Sequence, residues 1–97
     1  MRTRSGTLAL DLAPVPLFNG MALDLSRVHT RLLRALLASE EPVSTESLAA
    51  VGWPGERVAL HTVHTQISLL KTKLEAIDAL VAHVRGKGYV LRGSRRD

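Results

Sequence analysis

The sequence has no cysteine, very few aromatic residues and no long hydrophobic run. Without cysteine, disulfide bonds and thiolate metal sites are excluded. Every apolar run is interrupted well short of the roughly 18 residues that a membrane-spanning helix needs. The opening Met1-Arg-Thr-Arg-Ser-Gly6 is not followed by the apolar core of a secretory signal. We therefore expect a cytoplasmic protein that does not contact a membrane.

Patterns of enzyme chemistry are also missing. The acidic residues are scattered, no serine lies in a nucleophile elbow, and no glycine-rich loop joins a strand to a helix. His61 and His64 are spaced so that two metal ligands could converge on one helix face, but no acidic partner is adjacent. We expect no enzyme activity, no metal and no cofactor.

The charge of the chain is unevenly distributed. The 97 residues, 45% of them hydrophobic, are enough for one compact domain with a net charge of +4. Residues 57–97 contain eight basic and three acidic side chains, whereas residues 5–56 contain three basic and six acidic ones. Positive charge concentrated in one half is typical of a protein that binds an anionic surface, nucleic acid before membrane.

A long helix is predicted for about residues 60–77, and its two faces differ in chemistry. The apolar side chains recur at helical spacing, namely Val63, Ile67, Leu70, Leu74 and Ile77. The opposite face, which we call the outer strip, consists of His61, Thr65, Ser68, Leu69 and Thr72. Lys71 and Lys73 flank the strip. A neutral strip edged by lysines suits a helix that lies against a polyanion, although a threonine-rich surface helix fits this segment equally well.

The first third of the chain predicts a small antiparallel sheet after a disordered basic start at residues 1–6. Residues 7–12 alternate as a half-buried strand, with one apolar face formed by Leu8, Leu10 and Leu12. Prolines limit the next strand to about residues 15–18. Asn19-Gly20 then predicts a type I′ hairpin turn, because both residues tolerate positive φ. Residues 21–25 would form the return strand.

Two capped helices are predicted before the long one. Ser26 is the expected N-cap of a helix to about Ala38, whose apolar stripe is Val28, Leu32, Leu33, Leu36 and Leu37. Ser44 is the expected N-cap of a short helix to about Val51. A turn at residues 52–55, with Trp53 as a packing residue, leads into the long helix. This is the order of a helix-turn-helix.

The last part of the chain predicts a β-hairpin with a basic tip. Two β-prone segments, residues 80–84 and 89–92, flank a four-residue turn at Arg85-Gly86-Lys87-Gly88. The two cations would project beside the long helix, where such a tip can reach a minor groove or a line of phosphates. Residues 93–97 are expected to be a basic tail.

From about Thr7 to Leu91, the chain resembles the OmpR/PhoB-type winged helix-turn-helix domain, the DNA-binding effector of bacterial two-component response regulators. The most specific match is Val84-Arg-Gly-Lys-Gly-Tyr89 after a helix containing Leu70-Lys-Thr-Lys-Leu-Glu75. The segment Trp53-Pro-Gly55 is also similar to the N-terminal domain of Streptomyces antibiotic regulatory proteins, a branch of the same group. Further matching segments are Asn19-Gly20, Leu23–Ser26, Arg31–Leu33, Val43–Leu48, Thr62-Val63 and Ile67-Ser68.

The resemblance implies an α+β fold over residues 7–92: an N-terminal antiparallel sheet, three helices and a C-terminal β-hairpin wing. It implies sequence-specific binding of double-stranded DNA and transcription regulation, with the third helix in the major groove and Arg85 at the minor groove. RNA polymerase and a second copy of the chain, as a tandem or homodimer on DNA, are further implied partners. The implied DNA-binding residues are Thr62, Thr65, Gln66, Ser68, Leu69, Lys71, Lys73, Arg85, Lys87 and Tyr89.

The outer strip departs from the family pattern by carrying less charge. Leu69 and Ser68 replace arginines, His61 replaces an arginine or asparagine, and His64 stands at a common aspartate. These changes predict weaker phosphate anchoring and more contact of Leu69 or Thr65 with thymine methyl groups. They also leave open the alternative that the winged helix has been repurposed for protein–protein interaction and does not bind DNA.

Two further alternatives stay open at this stage. Tyr89 either covers the edge of the core or meets a phosphate. Because the sequence contains no receiver domain, the chain is either an effector domain of a longer regulator or a stand-alone protein.

Overall fold

The computed structural model describes residues 1–10 and 15–93, in which three helices separate two antiparallel sheets. The elements in chain order are β1 Leu8–Ala9, β2 Leu17–Phe18, β3 Met21–Ala22, α1 Arg27–Leu37, α2 Thr45–Gly52, α3 Leu60–Glu75, β4 Ala79–Val84 and β5 Gly88–Gly93. Strands β1, β2 and β3 form one sheet, and β4 and β5 form the hairpin that we call the wing. This arrangement confirms the predicted winged-helix fold class.

One hydrophobic core joins the helices to the wing. The inner face predicted for α3 is confirmed, since its four buried side chains are at most 2% exposed: Val63, Ile67, Leu70 and Leu74. They pack against Leu32, Leu33 and Leu36 of α1 and Leu48 of α2. Each buried aliphatic side chain stabilises the fold by about 1.5–3 kcal/mol. Rotating α3 would expose several of them at once, so the core determines which side of α3 faces outward.

The β2–β3 hairpin has the predicted turn. Phe18 pairs with Met21, which leaves Asn19 and Gly20 as a two-residue connection. Their φ angles are 52° and 83°, and a type I′ turn requires both to be positive. The Asn19 side-chain oxygen also accepts a hydrogen bond from the backbone nitrogen of Thr7 at 2.9 Å, which ties the turn to the start of β1.

The N-terminal strands are shorter than the sequence predicted. β1 ends at Ala9, and Leu10 is exposed although the alternation placed it on the inner face. The Pro16 carbonyl accepts from the Leu23 nitrogen at 3.2 Å, but Pro16 lacks a backbone donor and cannot return a bond, and β2 begins at Leu17. The prediction for Leu12 lies outside the described residues, as do residues 94–97 of the predicted tail.

The first six residues make contacts, where the sequence predicted a disordered start. The backbone nitrogen of Leu8 donates to the Met1 carbonyl at 2.8 Å, and that of Thr3 donates to the Gly6 carbonyl at 2.7 Å. Thr3 is buried. The Ser5 hydroxyl hydrogen-bonds the Asp78 carboxylate, which connects this segment to the turn after α3.

Helices α1 and α2 begin at the predicted caps. The Ser26 hydroxyl accepts from the His29 nitrogen at 3.1 Å, and the Ser44 hydroxyl accepts from the Ser47 nitrogen at 3.0 Å. α2 ends at Gly52, one residue later than predicted, and the Gly52 carbonyl accepts from the Arg31 guanidinium at 3.3 Å. A cation at this position also complements the negative end of the helix dipole.

α3 is two residues shorter at its C-terminus than the sequence predicted. It ends at Glu75, and Asp78 adopts a positive φ of 61° that redirects the chain into β4. Ile77, predicted as the last residue of the inner face, still packs against the core from this turn. The apolar spacing in the sequence therefore extends past the end of the helix, because a residue in the following turn can also face the core.

A close backbone crossing holds the wing against the connection between α1 and α2. Val43 and Tyr89 exchange two backbone hydrogen bonds, of 2.7 and 2.9 Å. Beside them Gly88 has a φ of 137°, and a Cβ atom there would lie 2.0 Å from the Val43 carbonyl oxygen. Because Gly88 pairs with Val84 in the ladder, the turn contains three residues, 85–87, rather than the predicted four.

A buried polar cluster links α1 to α3. His29 is 4% exposed, and its Nε2 lies 2.8 Å from the Gln66 side-chain oxygen while its Nδ1 lies 3.0 Å from Lys73 Nζ. Lysine can only donate, so Nδ1 accepts and Nε2–H donates to Gln66, which requires a neutral imidazole. Burial lowers the pKa of His29; the Gln66 hydrogen bond opposes this and the Lys73 charge adds to it.

We expect Gly88→Ala to destabilise the fold by at least about 3 kcal/mol, because it adds a backbone clash to an unfavourable φ. Gly86→Ala is the matched control, since Gly86 also has a positive φ, of 76°, but a Cβ atom there meets no heavy atom within 4 Å. It should cost only about 1–2 kcal/mol. Urea denaturation measures both, and equal losses would show that the crossing at Val43 does not constrain the wing.

Acidification should destabilise the protein through His29. Its pKa is lowered in the folded state, so below the ordinary histidine pKa of about 6.5 the unfolded chain binds more protons. The contribution of neutral His29 to the free energy of unfolding is fully present above this value. It is lost as the pH falls through the pKa of His29 in the folded state. The free energy of unfolding of His29→Gln should therefore fall less between about pH 7.5 and about pH 5 than that of the wild type.

His61→Gln is the control for this experiment, because His61 is exposed on α3. It should keep the wild-type pH dependence. The role of His29 is refuted if His29→Gln and His61→Gln change the pH profile equally.

Candidate nucleic-acid interface

The outer strip of α3 faces solvent along its whole length, as predicted. His61, Thr65, Ser68, Leu69 and Thr72 are all exposed. The Thr72 hydroxyl donates back to the Ser68 carbonyl at 3.2 Å, so Thr72 is partly satisfied within the helix. Leu69 is 50% exposed. The strip can offer hydroxyl groups and one apolar side chain to a ligand.

One flank of α3 is joined to the wing by aromatic contacts. His64 Nδ1 lies 2.6 Å from the Tyr89 hydroxyl. The His83 ring packs beside the Tyr89 ring, with centroids 4.9 Å apart and planes inclined by 45°. Burial raises the pKa of the Tyr89 phenol, so this hydroxyl keeps its proton and can donate. The half-buried Tyr89 thus contacts both α3 and β4 close to the surface.

The other flank of α3 is joined to α1 by the His29 cluster. Gln66 and Lys73 were predicted to face DNA, but Gln66 is half-buried and both side chains hydrogen-bond His29. Sequence reasoning missed His29 as a partner of this surface. The only local signal in the sequence was that His29 lies three residues after the Ser26 cap. The residues that His29 contacts, Gln66 and Lys73, lie 37 and 44 residues away along the chain.

The wing carries exposed cations at its tip. The Lys87 nitrogen donates to the Val84 carbonyl at 2.9 Å and closes the turn, and the side chains of Arg85 and Lys87 are exposed. Between the tip, α2 and α3 lies an open cleft of about 350 Å³, lined by Ser44, Thr45, Glu46, His64, His83, Gly86, Lys87 and Gly88. Glu46 is the only acidic residue of this lining.

The ten predicted DNA-binding residues all lie on α3 or the wing. Seven are exposed, namely Thr65, Ser68, Leu69, Lys71, Lys73, Arg85 and Lys87. Three are half-buried, namely Thr62, Gln66 and Tyr89. The His64–Tyr89 contact brings the two elements together, so most of these side chains are available on adjoining surfaces.

Within residues 1–10 and 15–93, no three histidine, aspartate or glutamate side chains cluster closely enough to hold a metal ion. In the same residues, no helix has the length and apolar character needed to cross a membrane.

Several solved structures share this fold. The DNA-binding domain of E. coli CadC is 27% identical, and the match covers 94% of this chain and 91% of that one with a TM-score of 0.71. The C-terminal domain of the nisin resistance regulator NsrR, a lantibiotic response regulator, is 26% identical over 94% of this chain and 88% of that one, with a TM-score of 0.64.

A third structure shows the shared fold alone, at 20% identity. It is the DNA-binding domain of the response regulator AdeR in complex with an intercistronic region, with a TM-score of 0.74 over 90% of this chain and 95% of that one. No curated protein matches the chain.

The family described as transcriptional regulatory protein, C terminal, matches residues 20–91. The match begins in the β2–β3 turn and includes all three helices with the outer strip, all of β4, and β5 as far as residue 91. It confirms the resemblance noted in the sequence. The chain therefore belongs to the OmpR/PhoB-type family of transcriptional regulatory protein C-terminal domains.

Proposed function

We propose that this domain regulates transcription by binding double-stranded DNA, with α3 in the major groove and the wing at the adjacent minor groove. Membership of the family and the likeness to the CadC DNA-binding domain support DNA binding and transcription regulation. The observation that carries the placement of α3 is the exposed outer strip, edged by Lys71 and adjoined by a basic wing tip.

The dimensions and charge of the surface suit B-form DNA. An α-helix with its side chains is about 10–12 Å wide and fits a major groove about 12 Å wide. Within residues 57–93 six basic side chains stand against two acidic ones. Neutral hydroxyl groups on the strip can meet base edges, while the cations at its margins neutralise phosphates.

The contacts divide the candidate residues by role. We assign Thr65, Ser68 and Leu69 to base edges, Lys71 and Lys87 to phosphates, and Arg85 to the minor groove. Thr62 and Tyr89 lie at the margins, where the sugar-phosphate backbone would pass. Gln66 and Lys73 each hydrogen-bond His29, so we assign both to the positioning of α3.

The protein–protein alternative rests on the exposed Leu69. Its neighbours on the strip are threonine, serine and histidine, so it does not form the contiguous apolar patch typical of a protein interface. The family and structural comparisons favour DNA binding instead. RNA polymerase, a second copy of the chain on DNA and a cytoplasmic location are consistent with the proposal, which includes no enzymatic activity.

Substituting Lys71 and Arg85 in turn should distinguish a phosphate contact from a minor-groove contact. Binding is measured by fluorescence anisotropy with a duplex selected from a random pool. Lys71→Ala should weaken binding to all duplexes. It should also lower the number of counterions released on binding, which the salt dependence of the affinity reports, by about one. Arg85→Ala should weaken binding most where the wing meets an A·T-rich minor groove.

Arg92→Ala is the control, because Arg92 is an exposed arginine of the same hairpin that pairs with Leu80, away from the tip. It should leave affinity nearly unchanged. If no duplex binds even at low salt, or if the double variant Arg85→Ala/Lys71→Ala binds like the wild type, the proposed function is wrong.

Leu69 should respond to the thymine methyl group. Replacing a contacted thymine by uracil removes only this methyl, and the loss should cost the wild type about 0.8 kcal/mol, or about fourfold in affinity. Leu69→Ala should lose this sensitivity, because the apolar partner is gone. Leu80→Ala, which truncates a leucine 43% exposed on β4, should retain it. Equal sensitivity of all three proteins would exclude a methyl contact by Leu69.

A further inference from the structure

The hydrogen bond between His64 and Tyr89 is the only side-chain bond described between α3 and the wing in residues 1–10 and 15–93. It is 2.6 Å long and lies at the surface, beside the cleft that also contains Lys87. The ring centroids of the pair are 5.9 Å apart and inclined by 55°. Both groups are therefore placed where the backbone of bound DNA would pass between the outer strip and the wing tip.

The direction of this hydrogen bond depends on the proton of the imidazole. When Nδ1 of neutral His64 accepts, Tyr89 uses its single hydroxyl proton as the donor. When His64 takes up a proton, Nδ1–H becomes the donor and the tyrosine oxygen accepts. The phenolic proton is then free to point elsewhere. Because burial raises the pKa of Tyr89, the phenol keeps that proton throughout.

We propose that His64 and Tyr89 form a proton-dependent site for a backbone phosphodiester at the junction of α3 and the wing. One proton from solvent passes to His64, which becomes an imidazolium, and the freed Tyr89 hydroxyl donates to the phosphate oxygen. This inference rests on the proposed DNA binding and adds that binding is coupled to proton uptake.

The charged and titratable neighbours fit this assignment. Glu46 of α2 and Lys87 of the wing line the same cleft with opposite charges, and His64 and His83 are its other titratable side chains. His83 of β4 packs against the Tyr89 ring and holds its orientation. His61 precedes His64 by one turn of α3 and has no ring contact or hydrogen bond to Tyr89 among the described residues.

Proton uptake can be measured directly by calorimetry of duplex binding in two buffers of different ionisation enthalpy. The wild type should take up more protons near neutral pH than His64→Gln. Its affinity should also rise more than that of His64→Gln, by up to about tenfold, between about pH 8 and about pH 6. Arg92→Ala, an exposed substitution on the same hairpin away from the tip, is the control and should resemble the wild type. Thermal unfolding confirms that these exposed substitutions leave the fold intact.

Tyr89→Phe tests the hydroxyl separately, because it keeps the ring that packs against His83. Its affinity should fall several-fold at about pH 6 and much less at about pH 8, since every His64 ring carries a proton on Nδ1, and so leaves the hydroxyl proton free, only in the imidazolium form. The inference is overturned if His64→Gln takes up as many protons as the wild type, or if Tyr89→Phe weakens binding equally at both pH values. Absence of any duplex binding by the wild type at low salt would instead overturn the proposed function itself.

Discussion

Burial of one face of α3 is the constraint on which the rest of the molecule depends. Val63, Ile67, Leu70 and Leu74 are almost completely removed from solvent. A rotation of the helix by one residue would expose part of this set, at about 1.5–3 kcal/mol for each side chain. The hydrophobic core therefore fixes the orientation of the outer strip, so the surface that we propose to read DNA is positioned by residues inside the protein.

The two flanks of α3 are held by different kinds of interaction. On the α1 side, a buried neutral histidine hydrogen-bonds Gln66 and Lys73, which gives two polar side chains of α3 a structural role. On the wing side, Gly88 lets the β5 backbone reach Val43, and Tyr89 then meets His64. The His29 ring is buried, whereas the His64–Tyr89 pair is open to solvent.

Local signals in the sequence predicted most of the fold. Ser26 and Ser44 marked helix starts, Asn19-Gly20 marked the hairpin, and the apolar spacing defined the inner face of α3, because each depends on neighbouring residues alone. Contacts between distant residues could not be predicted. No local pattern pairs His29 with Gln66 and Lys73, or places Val43 beside Gly88. The predicted strand lengths were wrong for a related reason. Leu10 fits the alternating pattern of a strand, but it is exposed because no part of the core lies opposite it.

The most direct test of the account is the change in backbone amide NMR shifts when a selected duplex is added to the protein. The largest changes should follow the outer strip of α3 and the wing tip at residues 85–87, with smaller changes at Val63, Ile67 and Leu70. Such a pattern would place α3 and the wing together on the DNA. Changes confined to the β1–β3 sheet, or spread evenly over the surface, would contradict the central claim that this face of α3 reads the duplex.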